Sequence, residues 1–237
     1  MSTNTVLKTS MSSLPLFNYL LPFLGAVLGM GIVFVLRPKK PLAFKLVLAF
    51  SGAFLLGITI FHLLPEVFSE TAFQASGWII GGLVFQILLE YISQGAEHGH
   101  AHVKENQGLP WLLLLSLGIH AFIEGLPLSN QNELLWGIFV HKIPIGMVVF
   151  FLVWETKVAT FTKVSTLFLF ALMSPLGSLL NDYSTYLQVW QFQITSVVIG
   201  MLFHIATTIL FESNQGHAFN LRKLLTILLA FGLSYLL

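Results

Sequence analysis

The sequence of 237 residues contains no cysteine, and only 9% of its residues are charged. The absence of cysteine excludes disulfide frameworks, thiolate zinc sites and iron–sulfur clusters. A soluble domain is usually about a quarter charged, so this chain has too little polar surface for a small soluble enzyme or a disordered protein. Its formal net charge of +1 also excludes a protein that binds nucleic acid through bulk electrostatics.

Apolar residues fill most of the chain: they make up 56% of it, and the mean hydropathy is +0.85. A helix needs about 20 apolar residues to cross a bilayer. We therefore predict an all-α, polytopic membrane protein with eight transmembrane helices, in which residues 1–237 form a single domain surrounded by lipid. The predicted spans are Leu16–Leu36, Phe44–Leu64, Ala75–Ile92, Leu109–Leu128, Leu134–Trp154, Val164–Leu180, Trp190–Phe211 and Leu221–Leu237.

The basic residues predict the orientation of these spans, because Lys and Arg favour the cytoplasmic side of a membrane. Nine of the eleven Lys and Arg residues lie in or beside alternate loops, at residues 37–45, 104, 157–163 and 222–223, whereas the opposite side has only Lys8. We expect both termini to lie outside. The short loops and compact size favour a prokaryotic inner membrane.

A short repeated sequence pattern suggests internal symmetry. Phe61-His62 lies near the end of span two, and Phe203-His204 lies in span seven. The two spans are predicted to run in opposite directions, which is typical of the inverted repeats of transporters. Chance would also produce such a pair in so apolar a chain.

Ionisable residues in the middle of a span are costly and usually functional. His120 and Glu124 are four residues apart in span four and therefore share one helical face. Span five returns antiparallel and brings His141 to a similar depth. This set of nitrogen and oxygen ligands suits Zn²⁺, with Fe²⁺, Co²⁺, Ni²⁺ or Mn²⁺ as alternatives. We predict a metal site at these residues; hydrogen bonding between helices without a metal is the other interpretation.

Three further residues bear on this predicted site. Pro127 and Pro144 are predicted to interrupt spans four and five. The ammonium group of Lys142 would repel a metal unless a carboxylate lies between them. Glu124 could then bind the metal through one oxygen and Lys142 through the other, so that the ammonium replaces a second metal ion. In the alternative interpretation, Lys142 points away from the site.

Two strings at these positions resemble motifs of the Zrt/Irt-like (ZIP) divalent-metal transporters. The string His120-Ala-Phe-Ile-Glu124-Gly-Leu is similar to the family's HNxxDG motif, and His141-Lys-Ile-Pro144-Ile-Gly is similar to its HExPHE motif. The resemblance implies that His120, Glu124 and His141 are ligands of the main transport site. It also implies a fold in which spans one to three and six to eight form an inverted repeat around spans four and five.

The resemblance extends over nearly the whole chain, but ligands are missing. The strings His62-Leu-Leu-Pro-Glu66 and Ser174-Pro-Leu-Gly177 also look like that family. Four family ligands are replaced in the two central motifs, by Ala121, Lys142, Ile145 and Gly146. A second, adjacent metal position found in part of the family would lose most of its ligands. We therefore predict one mononuclear site with three protein ligands, completed by water or an unassigned group.

Other polar residues are candidates for metal access and release. His62 and Glu66 lie near the outer end of span two. The cytoplasmic loop of residues 94–108 contains His98, His100 and His102, which suit metal capture or, alternatively, form only a solvated loop. The resemblance implies a release path at His204, with Glu212 near the same end of span seven.

These observations predict transport of a divalent cation, zinc before iron or manganese, through a site in the middle of the membrane. The inward direction follows from the resemblance alone. We predict no enzymatic activity, no nucleic-acid partner and no cofactor other than the transported metal, and the sequence leaves a homodimer open. The alternatives are a metal sensor without transport, a haem-binding membrane protein and an intramembrane metallohydrolase.

Overall fold

The computed structural model describes residues 15–36, 41–93, 108–212 and 221–237, and every regular element in these ranges is helical. The helices are α1 (Pro15–Leu36), α2 (Pro41–Ile58), α3 (Leu64–Ser93), α4 (Trp111–Gly125), α5 (Asn132–Trp154), α6 (Thr160–Tyr183), α7 (Thr185–Val189), α8 (Gln191–Glu212) and α9 (Leu221–Tyr235). A π-helical turn at Thr59–Leu63 joins α2 to α3, and a 3₁₀ turn at Leu128–Asn130 lies between α4 and α5. The all-α class is confirmed.

Within the described ranges, six helical segments are long and apolar enough to cross a membrane, which fits an integral membrane protein. They are Leu16–Leu36, Ala43–Ser69, Phe73–Ser93, Asn132–Trp154, Thr160–Tyr183 and Gln191–Phe211. The predicted fourth and eighth spans correspond to α4 and α9, which have 15 residues each. Such a helix is about 22 Å long, shorter than the hydrocarbon core of about 30 Å. The count of eight spans therefore stays a prediction.

The two prolines stand differently in their helices. Helix α4 ends at Gly125, so the helix of the predicted fourth span stops two residues before Pro127. Helix α5 continues through Pro144 to Trp154, so this proline does not end the helix. A proline removes one backbone hydrogen bond, but neighbouring helices and local adjustments can compensate for that loss in a membrane helix.

Contacts between helices define their relative directions. Helices α1 and α5 are parallel, because Phe17 contacts Trp136 near their beginnings and Phe34 contacts Trp154 near their ends. Helices α4 and α6 are also parallel, as are α3 and α8. By contrast, α2 is antiparallel to α5, and α3 is antiparallel to α4.

The helices form two packed groups with separate cores. In one group α1, α4, α5 and α6 enclose a core that includes Ala26, Leu117, Val149 and Phe170. In the other, α2, α3, α8 and α9 enclose a core that includes Leu55, Leu202 and Ala230. Helix α5 also contributes Leu134, Leu135 and Ile138 to the second core, so it joins the two groups.

Glycines allow the parallel helices to approach closely. A Cβ atom at Gly82 of α3 would collide with the backbone of Val197 in α8, and one at Gly200 would collide with the backbone of Ile79. Small residues are the usual means by which membrane helices reach such separations. The adjacent Gly81 has no such neighbour, because a Cβ there would meet nothing within 4 Å.

This difference predicts opposite outcomes for two adjacent substitutions. Gly82→Ala should destabilise the protein by about 1–3 kcal/mol, the usual cost of overpacking, because α3 and α8 must separate. Gly81→Ala should leave the thermal unfolding temperature in detergent unchanged or slightly higher, since alanine favours the helix. Equal unfolding temperatures for the two variants would contradict the close α3–α8 contact.

Candidate metal centre

Helix α4 supplies two of the three predicted ligands from one face. The spacing of four residues places Glu124 one turn after His120, and Nε2 of His120 lies 3.2 Å from Oε2 of Glu124. Both residues are almost completely buried, His120 at 1% exposure and Glu124 at 0%. Their separation from water means that polar partners, rather than solvent, must stabilise them.

Helix α5 brings His141 to the same place. Its side chain is fully buried, and its ring centroid lies 6.1 Å from that of His120, with the two rings nearly perpendicular. One ligand atom from each of His120, Glu124 and His141 lies within 4.8 Å of the other two. Ligands at zinc-bonding distances would stand about 3.4 Å apart, so small side-chain rotations would allow all three to contact one ion.

The carboxylate of Glu124 has different partners on its two oxygens. The ammonium group of Lys142 forms an ion pair with Oε1, and the hydroxyl of Ser174 donates to the same oxygen at 3.2 Å. The other oxygen, Oε2, faces His120. Lys142 is itself only 3% exposed, and its Nζ lies 5.4 Å from the centre of the Phe170 ring. The structure therefore brings Lys142 against Glu124 instead of pointing it away.

Gln86 is a member of this cluster that the sequence interpretation missed. It is fully buried on α3, and its Oε1 lies 3.0 Å from Nδ1 of His120. If Nδ1–H donates to Gln86, Nε2 of neutral His120 presents a lone pair towards the carboxylate of Glu124. A cation between those two atoms would stabilise this arrangement. The signal in the sequence was the single amide of the predicted third span, one turn before Glu90.

The residues predicted near the outer end lie apart from this cluster. Nε2 of His62 donates to the backbone oxygen of Ser234 at 2.7 Å. Oε1 of Glu66 accepts a hydrogen bond from Nε2 of Gln131 at 3.0 Å. Glu66 is exposed and His62 half-buried. The Glu66–Gln131 contact links the segment before α5 to the second helix group.

The other end of the helices contains a second His–Glu contact. His204 on α8 pairs with Glu90 on α3, and both side chains are about one-fifth exposed. Glu90 lies one turn beyond Gln86, about 6 Å further along α3. Glu212 is the last residue of α8, but its side chain lies outside the described part of the chain, as do His98, His100 and His102.

Comparison with known proteins gives a partial match. No protein-family model matches the chain. It is 32% identical over 107 residues to Protein zntD of Dictyostelium discoideum; the match covers 37% of this chain. The chain spans only 16% of the length of that relative, so the likeness concerns one segment of each protein.

Proposed function

We propose that this protein transports a divalent metal cation, zinc before iron or manganese, through His120, Glu124 and His141, and that it belongs to the ZIP family. The observation that carries this proposal is the convergence of two imidazoles and a carboxylate in a buried place. Burying these groups is costly. A bound cation would use all three, whereas helix packing alone would be served by apolar residues.

The helix directions support eight crossings in an inverted repeat. All of the parallel and antiparallel pairs described above agree with eight helices that cross in alternate directions. Exchanging α1 with α6, α5 with α4, α2 with α8 and α3 with α9 converts the α1–α5 pair into α6–α4 and the α3–α8 pair into α9–α2. All four of these pairs pack together. Such a relation is typical of transporters whose binding site lies between the repeats.

The distribution of charge supports an orientation. Apart from Lys142, the Lys and Arg residues in the described ranges lie at one end of the helices: Lys45, Lys157, Lys163, Arg222 and Lys223. This end is the cytoplasmic one by the positive-inside rule, so both termini are outside. His62 and Glu66 then form the outer access, and Glu90 and His204 the release path towards the cytoplasm, in a prokaryotic inner membrane.

Transport requires that the site opens to one side at a time. The three proposed ligands come from α4 and α5, which belong to the first helix group, whereas Gln86 reaches His120 from the second group. Movement of one group against the other would break the His120–Gln86 contact and expose the cation. Protons compete with the cation, because a ligand His must be neutral and Glu ionised.

The test is uptake of Zn²⁺, Fe²⁺ and Mn²⁺ into proteoliposomes by the wild-type protein and two α4 variants. His120→Ala should slow zinc uptake about tenfold, since one ligand of three is lost and each factor of ten corresponds to about 1.4 kcal/mol. Leu112→Ala, at an exposed position of α4, is the matched control and should transport normally. Equal uptake by both variants would refute the proposed site.

The same preparation separates the alternative functions. A sensor would bind zinc with an affinity that depends on His120 but would give no uptake above protein-free liposomes. A haem protein would show a Soret band after purification. A metallohydrolase would cleave a membrane substrate in the presence of zinc and would likewise give no uptake.

A further inference from the structure

A groove lies between α4 and α6 on the exposed surface of the first helix group. Its volume is about 490 Å³, and apart from Thr166 its walls are apolar, with Trp111, Leu115, Phe122, Leu169 and Met173 among them. Trp111, Leu115 and Leu169 are each more than half exposed. Exposed apolar side chains on membrane-crossing helices face lipid, which is the solvent there.

Gly118 leaves the groove open. A Cβ atom at this position would meet only Cγ of Met173, at 3.9 Å. A larger side chain at residue 118 would therefore extend into the groove without striking the backbone of α6. The opening thus depends on a single glycine, and it can be closed by substitution.

The groove has the length and position of an acyl chain in one leaflet. From Trp111 to Ile123, both of which line it, α4 rises about 18 Å. Half of the hydrocarbon core is about 15 Å thick. The groove begins at Trp111, the first residue of α4, at the end of the helices that carries the basic residues. Tryptophan is enriched at that level, where the acyl chains meet the headgroups.

The lysine closest in sequence to the groove-lining residues of α6 is Lys163, towards the basic end of the helices. Lys163 precedes Thr166 and Phe170 by three and seven residues, so it continues the groove-lining face of α6 towards the basic end. Its ammonium group donates to the backbone oxygen of Trp154 at 2.7 Å and lies 5.6 Å from the centre of the ring of the same residue. That bond uses one of three N–H groups, and a phosphate at this level would be attracted to the remaining charge.

We propose that the α4–α6 groove binds one acyl chain of an anionic phospholipid, whose headgroup lies at Lys163 and Trp111. The ring of Phe170 lines the groove and also lies under the ammonium group of Lys142. A bound chain is therefore one aromatic ring away from the proposed metal centre. This proposal depends on the protein crossing the membrane and does not depend on metal transport.

The experiment measures lipid retention by the full chain released from bilayers of equal phosphatidylglycerol and phosphatidylcholine, using native mass spectrometry. The wild-type protein should retain one phosphatidylglycerol in preference to phosphatidylcholine. Gly118→Leu should lower that retention about tenfold, equivalent to about 1.4 kcal/mol. Gly81→Leu, at an equally open glycine on α3, is the control and should retain the lipid. Lys163→Gln should remove the preference for phosphatidylglycerol.

A second measurement keeps the proposal testable if Gly118→Leu does not fold. Phosphatidylglycerol with brominated chains should quench the wild-type tryptophan fluorescence more strongly than that of Trp111→Phe, which lacks the reporter at the groove. Equal retention by the wild type and Gly118→Leu, or equal quenching in the presence and absence of Trp111, would overturn the proposal. A dimer that Gly118→Leu dissociates, with lipid retention unchanged, would assign the groove to a second copy instead and would overturn it too.

Discussion

Replacing Glu124 by glutamine is expected to abolish tight zinc binding and to destabilise the metal-free protein. Glutamine keeps the shape of the side chain but removes its charge. The proposed zinc site then loses its only anionic ligand, and we expect the zinc affinity to fall by more than about 100-fold, the upper range for loss of an outer-shell partner. Lys142, which is almost fully buried and pairs with Glu124, is left without a counterion, at a cost of about 3–5 kcal/mol.

A double variant separates these two effects. Glu124→Gln combined with Lys142→Met removes both charges of the pair, so the unfolding temperature should recover most of the loss. Zinc binding should not recover, because the carboxylate is still absent. Isothermal calorimetry and thermal unfolding in detergent measure the two quantities independently. Tight zinc binding by either variant would show that Glu124 is not a ligand.

The local sequence pattern was sufficient to predict that the three central residues lie close together. The spacing of His120 and Glu124 fixes a shared face, and the short connection to span five returns the chain antiparallel, which brings in His141. The long apolar runs likewise predicted most of the helices, because a bilayer imposes a minimum length on each crossing.

Features that depend on tertiary packing were not predictable in the same way. Gln86 reaches His120 from α3, 34 residues earlier in the chain, and its identity alone does not specify that contact. The same holds for Glu90, whose partner His204 is 114 residues away. Helix α4 is shorter than its apolar run, because the helix ends at Gly125 and a 3₁₀ turn follows Pro127. The short helix α7 is held by a Ser184 cap rather than by any apolar run.

Lys142→Met should raise the affinity for zinc, whereas the substitution of Glu124 should lower it. Methionine has a similar length to lysine and no charge, so it can fill the same space beside Phe170. The carboxylate of Glu124 would lose its cationic partner in a fully buried place. The metal-free protein should therefore be less stable by about 3–5 kcal/mol.

A zinc ion would restore the missing positive charge, without the repulsion that the ammonium group imposes in the wild-type protein. The increase in unfolding temperature on adding zinc should therefore be larger for Lys142→Met than for the wild type. A ligand that binds only the folded state stabilises it by about 2.7 kcal/mol at 100 times its dissociation constant, so tighter binding raises the increment at a fixed zinc concentration.

The control for this comparison is Lys157→Met, which removes a charge at an exposed position beyond the end of α5 and should behave like the wild type. A smaller zinc-induced shift for Lys142→Met than for the wild type would mean that the ammonium group supports metal binding. An ammonium group that only replaces a second cation should weaken zinc binding, because it and the zinc ion share a single carboxylate and repel each other at short range. The sign of the shift therefore decides whether Lys142 competes with zinc or is a necessary part of the proposed zinc site.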